Sequence, residues 1–206
     1  GQLAAIVHLL VNRDAGGGPG FRLLVYTGSR GKARESSMIA GEHTFIRMAE
    51  PDDTPALHTL YALDRPRSAL LDKKREPLMP ARDELREMLG RKESATQGTL
   101  FAVEDRTGLV RGFCGLRALP PETPFAETSL LFLDEDDIAS PLGEEAWAFL
   151  EHRAFVHKRL FKVITHCLAR ELALRAFLLD HGFASRGVQR QVLFAARYSN
   201  LRDDVL

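Results

Sequence analysis

The stretch FLLDHGF, residues 177–183, marks the predicted end of a helix in the C-terminal part of the sequence. Apolar residues at helical spacing predict this helix over residues 173–181, and Gly182 stands where glycine commonly ends a helix. Apolar and β-branched residues predict a strand before it, at residues 163–168, and another after it, at residues 189–195. The C-terminal part of the chain is therefore predicted to form a strand, a helix and a strand.

Upstream of this unit, strands and helices follow one another from residue 44 onwards. Four further strands are predicted, at residues 44–48, 99–104, 110–116 and 129–133. The turn at residues 105–108 joins the middle two strands in a hairpin. Helices are predicted after the capping residues 51–54, over residues 80–89, and from Pro141, since proline is favoured at the first helical position. This order predicts a mixed α/β domain.

The first forty residues have a different pattern. Residues 4–12 and 21–26 are apolar and rich in strand-forming residues, and a glycine-rich loop separates them, which predicts a β-hairpin. Residues 28–37 are basic, polar and without periodicity, which is typical of a linker. We therefore predict an N-terminal extension of hairpin and linker over residues 1–41 and one main domain over residues 42–206.

Composition excludes several functional classes. The 206 residues contain 28 Lys and Arg against 28 Asp and Glu, so bulk charge does not favour binding to nucleic acid or to an acidic membrane. The longest apolar run near the N-terminus, residues 3–11, is about half the roughly 20 residues that a membrane span needs. We expect neither nucleic acid nor membrane as a partner.

Cysteine and histidine spacing gives no signal for a metal. Cys114 and Cys167 stand far apart without a CxxC spacing, which argues against a disulfide scaffold or a clustered zinc site and fits a reducing cytoplasm. His152 and His157 are five residues apart, which departs from the four-residue spacing of a helical metal pair. No metal is therefore expected, and the localisation is predicted to be cytoplasmic.

Three local sequences resemble the GNAT acetyltransferase superfamily. They are FIRMAEPDD at residues 45–53, LFKV at residues 160–163, and FLLDHGF at residues 177–183 with Gly187 and Arg190 after it. The last is similar to the branch that contains ribosomal-protein alanine acetyltransferases. The resemblance covers residues 42–206 and implies an α/β (α+β) fold with a central mixed, mostly antiparallel twisted sheet flanked by helices. It also implies transfer of an acetyl group from acetyl-CoA to a primary amine by direct attack, the acceptor being a protein N-terminus or a small amine.

The resemblance places the pyrophosphate loop at residues 138–143, where the superfamily has Gln/Arg-x-x-Gly-x-Gly/Ala. Only Gly143 keeps this pattern, and Pro141 has no N–H to donate. The expected contacts are therefore backbone amides at a helix start, from Ser140, Leu142, Gly143 and Glu144. Between residues 121 and 150 there are eight acids and no Lys or Arg, which would repel a polyanion and favour a cationic acceptor.

Other implied site residues lie on or beside the neighbouring strands. The resemblance implies cofactor contacts at Leu131, Phe132 and Leu133, and at Glu171, which stands where the superfamily has Asn. Glu127 is the candidate general base acting through water, and a solvated loop glutamate is its alternative.

His166 and Cys167, at the end of a strand, are either close to the thioester or structural. The superfamily's frequent tyrosine acid is replaced by Leu178.

Two alternatives to a working acetyltransferase follow from these departures. The domain could be a catalytically degenerate GNAT-fold binding or regulatory module, or an unrelated α/β fold whose likeness is accidental. The exposed edge of the predicted N-terminal hairpin could pair between subunits, which makes a homodimer possible.

Overall fold

The computed structural model describes residues 5–12, 24–26, 38–62, 80–90, 99–118, 124–168, 171–194 and 202–205. The strands in these ranges are β1 (Ala5–Asn12), β2 (Leu24–Tyr26), β3 (Met38–Ala40), β4 (Thr44–Met48), β5 (Thr99–Asp105), β6 (Val110–Ala118), β7 (Phe125–Phe132), β8 (Lys162–Leu168), β9 (Ala184–Phe194) and β10 (Arg202–Val205). The α-helices in the same ranges are α1 (Thr54–Ala62), α2 (Arg82–Gly90), α3 (Pro141–Glu151) and α4 (Leu172–Asp180).

All ten described strands belong to one sheet in the order β1-β9-β10-β8-β7-β6-β5-β4-β3-β2, with β1 also paired to β8. Neighbouring strands pair antiparallel except β7 and β8, which are parallel. This confirms the predicted mixed, mostly antiparallel sheet flanked by helices.

The sheet lies between two apolar layers. One layer contains α3 and α4, with Trp147, Phe149 and Phe177 among its buried side chains. The other contains Leu57 of α1 and Leu85 of α2. Successive strand residues point to opposite faces, so β5, β6 and β7 contribute to both layers.

The FLLDHGF stretch ends a helix as predicted. Helix α4 stops at Asp180, and Gly182 has a φ of +80°, a left-handed conformation that costs glycine nothing. The Phe183 amide then donates to the Leu178 carbonyl at 3.0 Å, which closes the helix end. The Phe183 ring lies 4.9 Å from that of Trp147, so the turn fastens α4 to α3.

The hairpin of β5 and β6 is also confirmed. Gly108 in its turn has a φ of +87°, and the Asp105 carboxylate accepts hydrogen bonds from Thr107 and Leu109. The hydrogen bond from the Thr107 hydroxyl is the main cause that lowers the pKa of Asp105. Side-chain and backbone bonds together therefore define this turn.

The predicted N-terminal hairpin is wrong. β1 pairs with β8 and β9, whereas β2 pairs with β3, so the two stretches lie far apart in the strand order. The sequence AIVHLLVN is a nearly continuous apolar run, which suits a strand with neighbours on both sides better than one arm of an exposed hairpin. The sheet is continuous across residue 41, since β3 pairs with β4. The predicted linker at residues 28–37 lies outside the described residues.

A buried ion cluster joins the start of α1 to the sheet. Arg47 on β4 donates to both carboxylate oxygens of Asp53 at 2.7 Å, and its Nε donates to Glu104 on β5 at 2.8 Å. Asp53 also accepts from the Glu50 amide at 2.8 Å, which caps the turn before α1. These residues, Arg47, Asp53 and Glu104, are called the sealed cluster below.

Candidate active site

The strands β7 and β8 run parallel but pair along only part of their length. Residues 125–127 pair with residues 162–164. One step further along, the Thr165 hydroxyl donates to the Thr128 carbonyl at 3.0 Å. Past this bond, no residue pair joins the two strands within the described ranges. Glu127 on β7 and His166 on β8 therefore lie where the strands begin to part.

The Glu127 carboxylate is held from two sides. Its Oε1 lies 2.9 Å from Nδ1 of His166, and its Oε2 accepts a hydrogen bond from Arg117, its register partner on β6. A carboxylate can only accept, so Nδ1 carries the proton in this contact, and a neutral imidazole then has its lone pair on Nε2. Glu127 and His166 are each 16% exposed, and Arg117 is 53% exposed. We call these three residues the open cluster.

The open cluster lies on the sheet face that carries α1 and α2. Residues four apart on a strand share a face, so Glu127 is on the side of Leu131, which packs in the layer of those helices. His166 is the register partner of His8 on β1. The N-terminal strand therefore lies directly beside the candidate site.

The sequence analysis picked out Glu127 and His166 as two separate candidate site residues, and in the structure their side chains are in contact. Arg117 was missed. The pairing of β6 with β7, which places Arg117 opposite Glu127, is the feature that could have identified it. Cys167, by contrast, is buried in the layer of α3 and α4, on the opposite face from His166.

The loop predicted to hold a pyrophosphate uses its amides to start α3. Ser140 is the N-cap, and its hydroxyl accepts from the Leu142 amide at 3.1 Å. The Ser140 amide donates to the Asp137 carbonyl at 3.3 Å, and the Glu144 amide donates to the Ser140 carbonyl at 3.1 Å. The sequence predicts that these three amides are available to a pyrophosphate, whereas each already donates a hydrogen bond within the protein. A cofactor role for them stays a prediction.

Gly143 in the same loop lies so close to the backbone of Ile138 that no side chain fits at this position. A Cβ at this position would come within 2.0 Å of the Ile138 carbonyl oxygen. The short 3-10 helix Glu135–Ala139 thus packs directly against the first turn of α3. Gly143, which the resemblance assigned to the phosphate contact, has a structural reason of its own.

The same helix start is strongly acidic. Asp134, Glu135, Asp136 and Glu144 are exposed, and Asp137 is buried against Arg111, whose Nε and Nη2 donate to it at 3.0 and 3.1 Å. One arginine therefore offsets part of this charge. A polyphosphate would meet repulsion here at short range.

Glu145, in the first turn of α3, is a buried carboxylate that the sequence did not single out. It accepts from the amides of His43 and Thr44 at 2.8 and 2.9 Å, from the Thr44 hydroxyl at 2.6 Å and from His43 Nδ1 at 2.9 Å. Burial alone would raise the pKa of Glu145, but the hydrogen bonds from Thr44 and His43 outweigh it and hold the pKa below its ordinary value. This contact ties α3 to the turn before β4.

The remaining predicted cofactor residues lie along β7 and at α4. Leu131 and Phe132 are buried, on opposite faces of the sheet, and the Leu133 amide donates to the Arg111 carbonyl at 2.8 Å. Glu171 precedes α4, and its Oε2 accepts from the Leu168 amide at 2.7 Å, which closes the end of β8. Their roles in cofactor binding stay predictions.

Among the residues that the structure describes, no three His, Cys, Asp or Glu side chains come together to hold a metal ion. No helix in the described ranges is long and apolar enough to cross a membrane.

Solved structures of acetyltransferases share this architecture. A probable acetyltransferase superposes with a TM-score of 0.63 at 22% identity, covering 80% of this chain and 90% of its own. Spermidine N-acetyltransferase from Vibrio cholerae, in complex with CoA and spermine, superposes with a TM-score of 0.60 at 20% identity, covering 78% and 90%. A dodecameric form of spermidine N-acetyltransferase from Vibrio cholerae gives 0.57 at 20% identity, covering 78% and 88%.

Sequence comparison adds no closer relative. No protein-family model matches the chain, and no curated protein matches it. The structural likeness extends over most of this chain and most of each neighbour, and it agrees with the resemblance at residues 45–53, 160–163 and 177–183. The chain therefore has the fold of the GNAT acetyltransferases.

Proposed function

We propose that the protein is an N-acetyltransferase that transfers an acetyl group from acetyl-CoA to a primary amine by direct attack. The observation that carries the proposal is the contact of 2.9 Å between Glu127 Oε1 and His166 Nδ1, at the place where β7 and β8 part. It supplies an oriented base on a fold used by enzymes that acetylate amines.

The base is needed because an amine is protonated at neutral pH and cannot attack in that form. Nε2 of a neutral His166 accepts the proton, and the Glu127 carboxylate stabilises the imidazolium that results. Arg117 holds the second oxygen of Glu127, which fixes the carboxylate in one orientation. The C–N bond then forms, the C–S bond breaks, and the second proton lost by the attacking nitrogen goes to the CoA thiolate. The products are an amide, free CoA and the proton held by His166.

The fit of acetyl-CoA is incomplete at its pyrophosphate. Three of the four predicted amides at the start of α3 are already hydrogen-bonded inside the protein, and exposed acids surround them. We therefore derive no pyrophosphate contact from this loop. What supports acetyl-CoA as co-substrate is the fold together with the base.

Two acceptors are compatible with the proposal. The acidic surface before and at the start of α3 favours a cationic amine, and spermidine is the amine named for the V. cholerae neighbours. A protein N-terminus is the acceptor implied by the resemblance of residues 177–183 to ribosomal-protein alanine acetyltransferases. We place the small cationic amine first because charge in the folded chain supports it.

A specific observation favours a second function. The capped amides and the acids at α3 would suit a GNAT-fold module that binds a partner without catalysis. The two functions differ in whether the protein binds acetyl-CoA.

A thermal melt with and without excess acetyl-CoA separates them, with free CoA and ADP as controls. At about 100 times Kd, binding adds about 2.7 kcal/mol to the free energy of unfolding, which raises Tm by roughly 5–10 °C in a chain of this size. If acetyl-CoA shifts Tm, release of free thiol with spermidine and with an alanine-initiated peptide then tests the acceptor. If millimolar acetyl-CoA leaves Tm unchanged, the enzymatic proposal fails and the binding module replaces it.

A further inference from the structure

The end of α3 is followed by a π-helical turn, His152–His157. The Lys158 amide donates to the Arg153 carbonyl, five residues back, at 3.0 Å. In an α-helix, residues five apart lie on different faces, and residues three or four apart are the neighbours. The wider π turn changes this spacing and brings the residues at its two ends together.

His152 and His157 are those two residues, and their rings are in contact. The ring centroids lie 5.0 Å apart and the ring planes make an angle of 77°. Within the described parts of the chain neither imidazole has a hydrogen bond to the protein. The expectation of no metal here used the four-residue spacing of an α-helix, whereas the chain forms a π turn in which a spacing of five brings the two rings into contact.

The separation of the rings suits a shared metal ion. With Zn–N distances of about 2.0–2.1 Å, two imidazoles on one tetrahedral ion have centroids roughly 5 Å apart. His157 is exposed and His152 is half-buried, so an ion can reach the pair from solvent. Imidazole is a preferred ligand of Zn²⁺, Cu²⁺ and Ni²⁺.

We propose that His152 and His157 form a two-imidazole chelate for a late first-row divalent cation, with water as the remaining ligands. Two protein ligands make an exchangeable site rather than a metal on which folding depends. The ion would fasten the two ends of the π turn, which leads into β8 and so toward His166. The inference does not depend on the proposed acetyl transfer.

Isothermal titration of the untagged, metal-free full chain with Zn²⁺ tests the site. We expect one ion per chain, and at least tenfold weaker binding in both His152→Gln and His157→Gln. His58→Gln on α1 is the matched control and should bind as the unchanged protein does. Absence of one-to-one binding, or unchanged affinity in the two pair variants, would overturn the proposal.

A second measurement locates the ion without relying on variants. Cu²⁺ added at one equivalent should show two imidazole nitrogens in its electron paramagnetic resonance spectrum, and one in His157→Gln. If His166→Gln weakens Zn²⁺ binding and the pair variants do not, the ion binds at the open cluster and the chelate is ruled out. Equal Tm values for the variants without metal establish that all of them fold.

Discussion

The sealed cluster and the open cluster are built from similar groups in different surroundings. In the sealed cluster, Arg47 is 1% exposed and its carboxylate partners, Asp53 and Glu104, are 4% and 8% exposed. In the open cluster, Arg117 is 53% exposed, and it shares Glu127 with His166. Each arginine joins neighbouring strands, Arg47 reaching from β4 to β5 and Arg117 from β6 to β7.

The difference separates a structural ion cluster from the cluster to which we assign the proposed chemistry. Burial alone would lower the pKa of Arg47, but its hydrogen bonds and charge interactions with Asp53 and Glu104 outweigh burial and raise it. That guanidinium stays charged and fixed at every working pH. The open cluster contains the imidazole of His166 in place of a second carboxylate, and it lies where β7 and β8 part. We therefore expect changes in the first cluster to affect folding and changes in the second to affect turnover.

The largest effect is expected when the sealed cluster is broken. Arg47→Met leaves Asp53 and Glu104 as buried carboxylates without their counter-charge, which should lower the free energy of unfolding by about 3–5 kcal/mol. Urea unfolding followed by circular dichroism measures this. Arg117→Met is the matched control, and its cost should stay within about 1 kcal/mol because the Arg117 pair is solvent-exposed. Equal losses in both variants would remove the distinction between the clusters.

The next largest effect is expected on kcat, without an effect on acetyl-CoA binding. His166→Gln removes the proton acceptor, so kcat for acetyl transfer should fall by about 100- to 10,000-fold. The thermal shift with acetyl-CoA should stay unchanged, because no cofactor contact is assigned to His166.

Glu127→Gln tests the orientation of that base. It should lower kcat by a smaller factor than His166→Gln does, since the imidazole remains but loses its carboxylate. A His166→Gln enzyme with full kcat would exclude the imidazole as base, and direct action of Glu127 through water would then be the alternative.

Glu145 is a third buried carboxylate site, and its contribution to stability should depend on pH. Because its pKa in the folded protein is lowered, its hydrogen bonds add stability above the ordinary carboxyl pKa, and this stability is lost as pH falls through the folded value. Glu145→Gln should cost about 1.5–3 kcal/mol at pH 7, as expected for hydrogen bonds to a buried charge. The cost should shrink as the pH falls below the ordinary carboxyl pKa, because the folded-state pKa of Glu145 is lower than that value.

Glu144→Gln is the control next in sequence, since the Glu144 side chain is 55% exposed and its Oε2 lies 2.8 Å from Nε2 of His181. Its unfolding free energy should change little. If the cost of Glu145→Gln were the same at pH 2 and at pH 7, the carboxylate would not be the source of the stability.

Much of the fold was readable because its signals are local. The cap at residues 51–54, the turn at 105–108 and the glycine after residue 181 each depend on a few neighbouring residues. The pairing of β1 could not be read in this way, because its partners on β8 and β9 lie at least 150 residues away along the chain. The apolar run itself was visible, but its place in the sheet was not.

The residues of the candidate site could be predicted from the sequence only in part, and their contacts could not, for the same reason. Glu127 and His166 are 39 residues apart, and their contact depends on the register of two parallel strands. The sequence singled out His152 and His157, but their contact was not predicted because the π turn leaves no pattern of apolar residues. The capped amides, however, were open to prediction, since Ser140 before Pro141 is a sequence typical of an N-cap.

The smallest predicted effect tests that cap. Ser140→Ala removes the acceptor for the Leu142 amide, so it should lower the free energy of unfolding by about 1 kcal/mol. It also releases one amide at the start of α3, the position where the superfamily holds its pyrophosphate. If the cap is what blocks the loop, Ser140→Ala should bind acetyl-CoA more tightly in the thermal-shift assay despite its lower Tm. If the acids are the obstacle, only Asp134→Asn and Asp136→Asn should increase the shift, and the hydroxyl of Ser140 would then have a structural role alone.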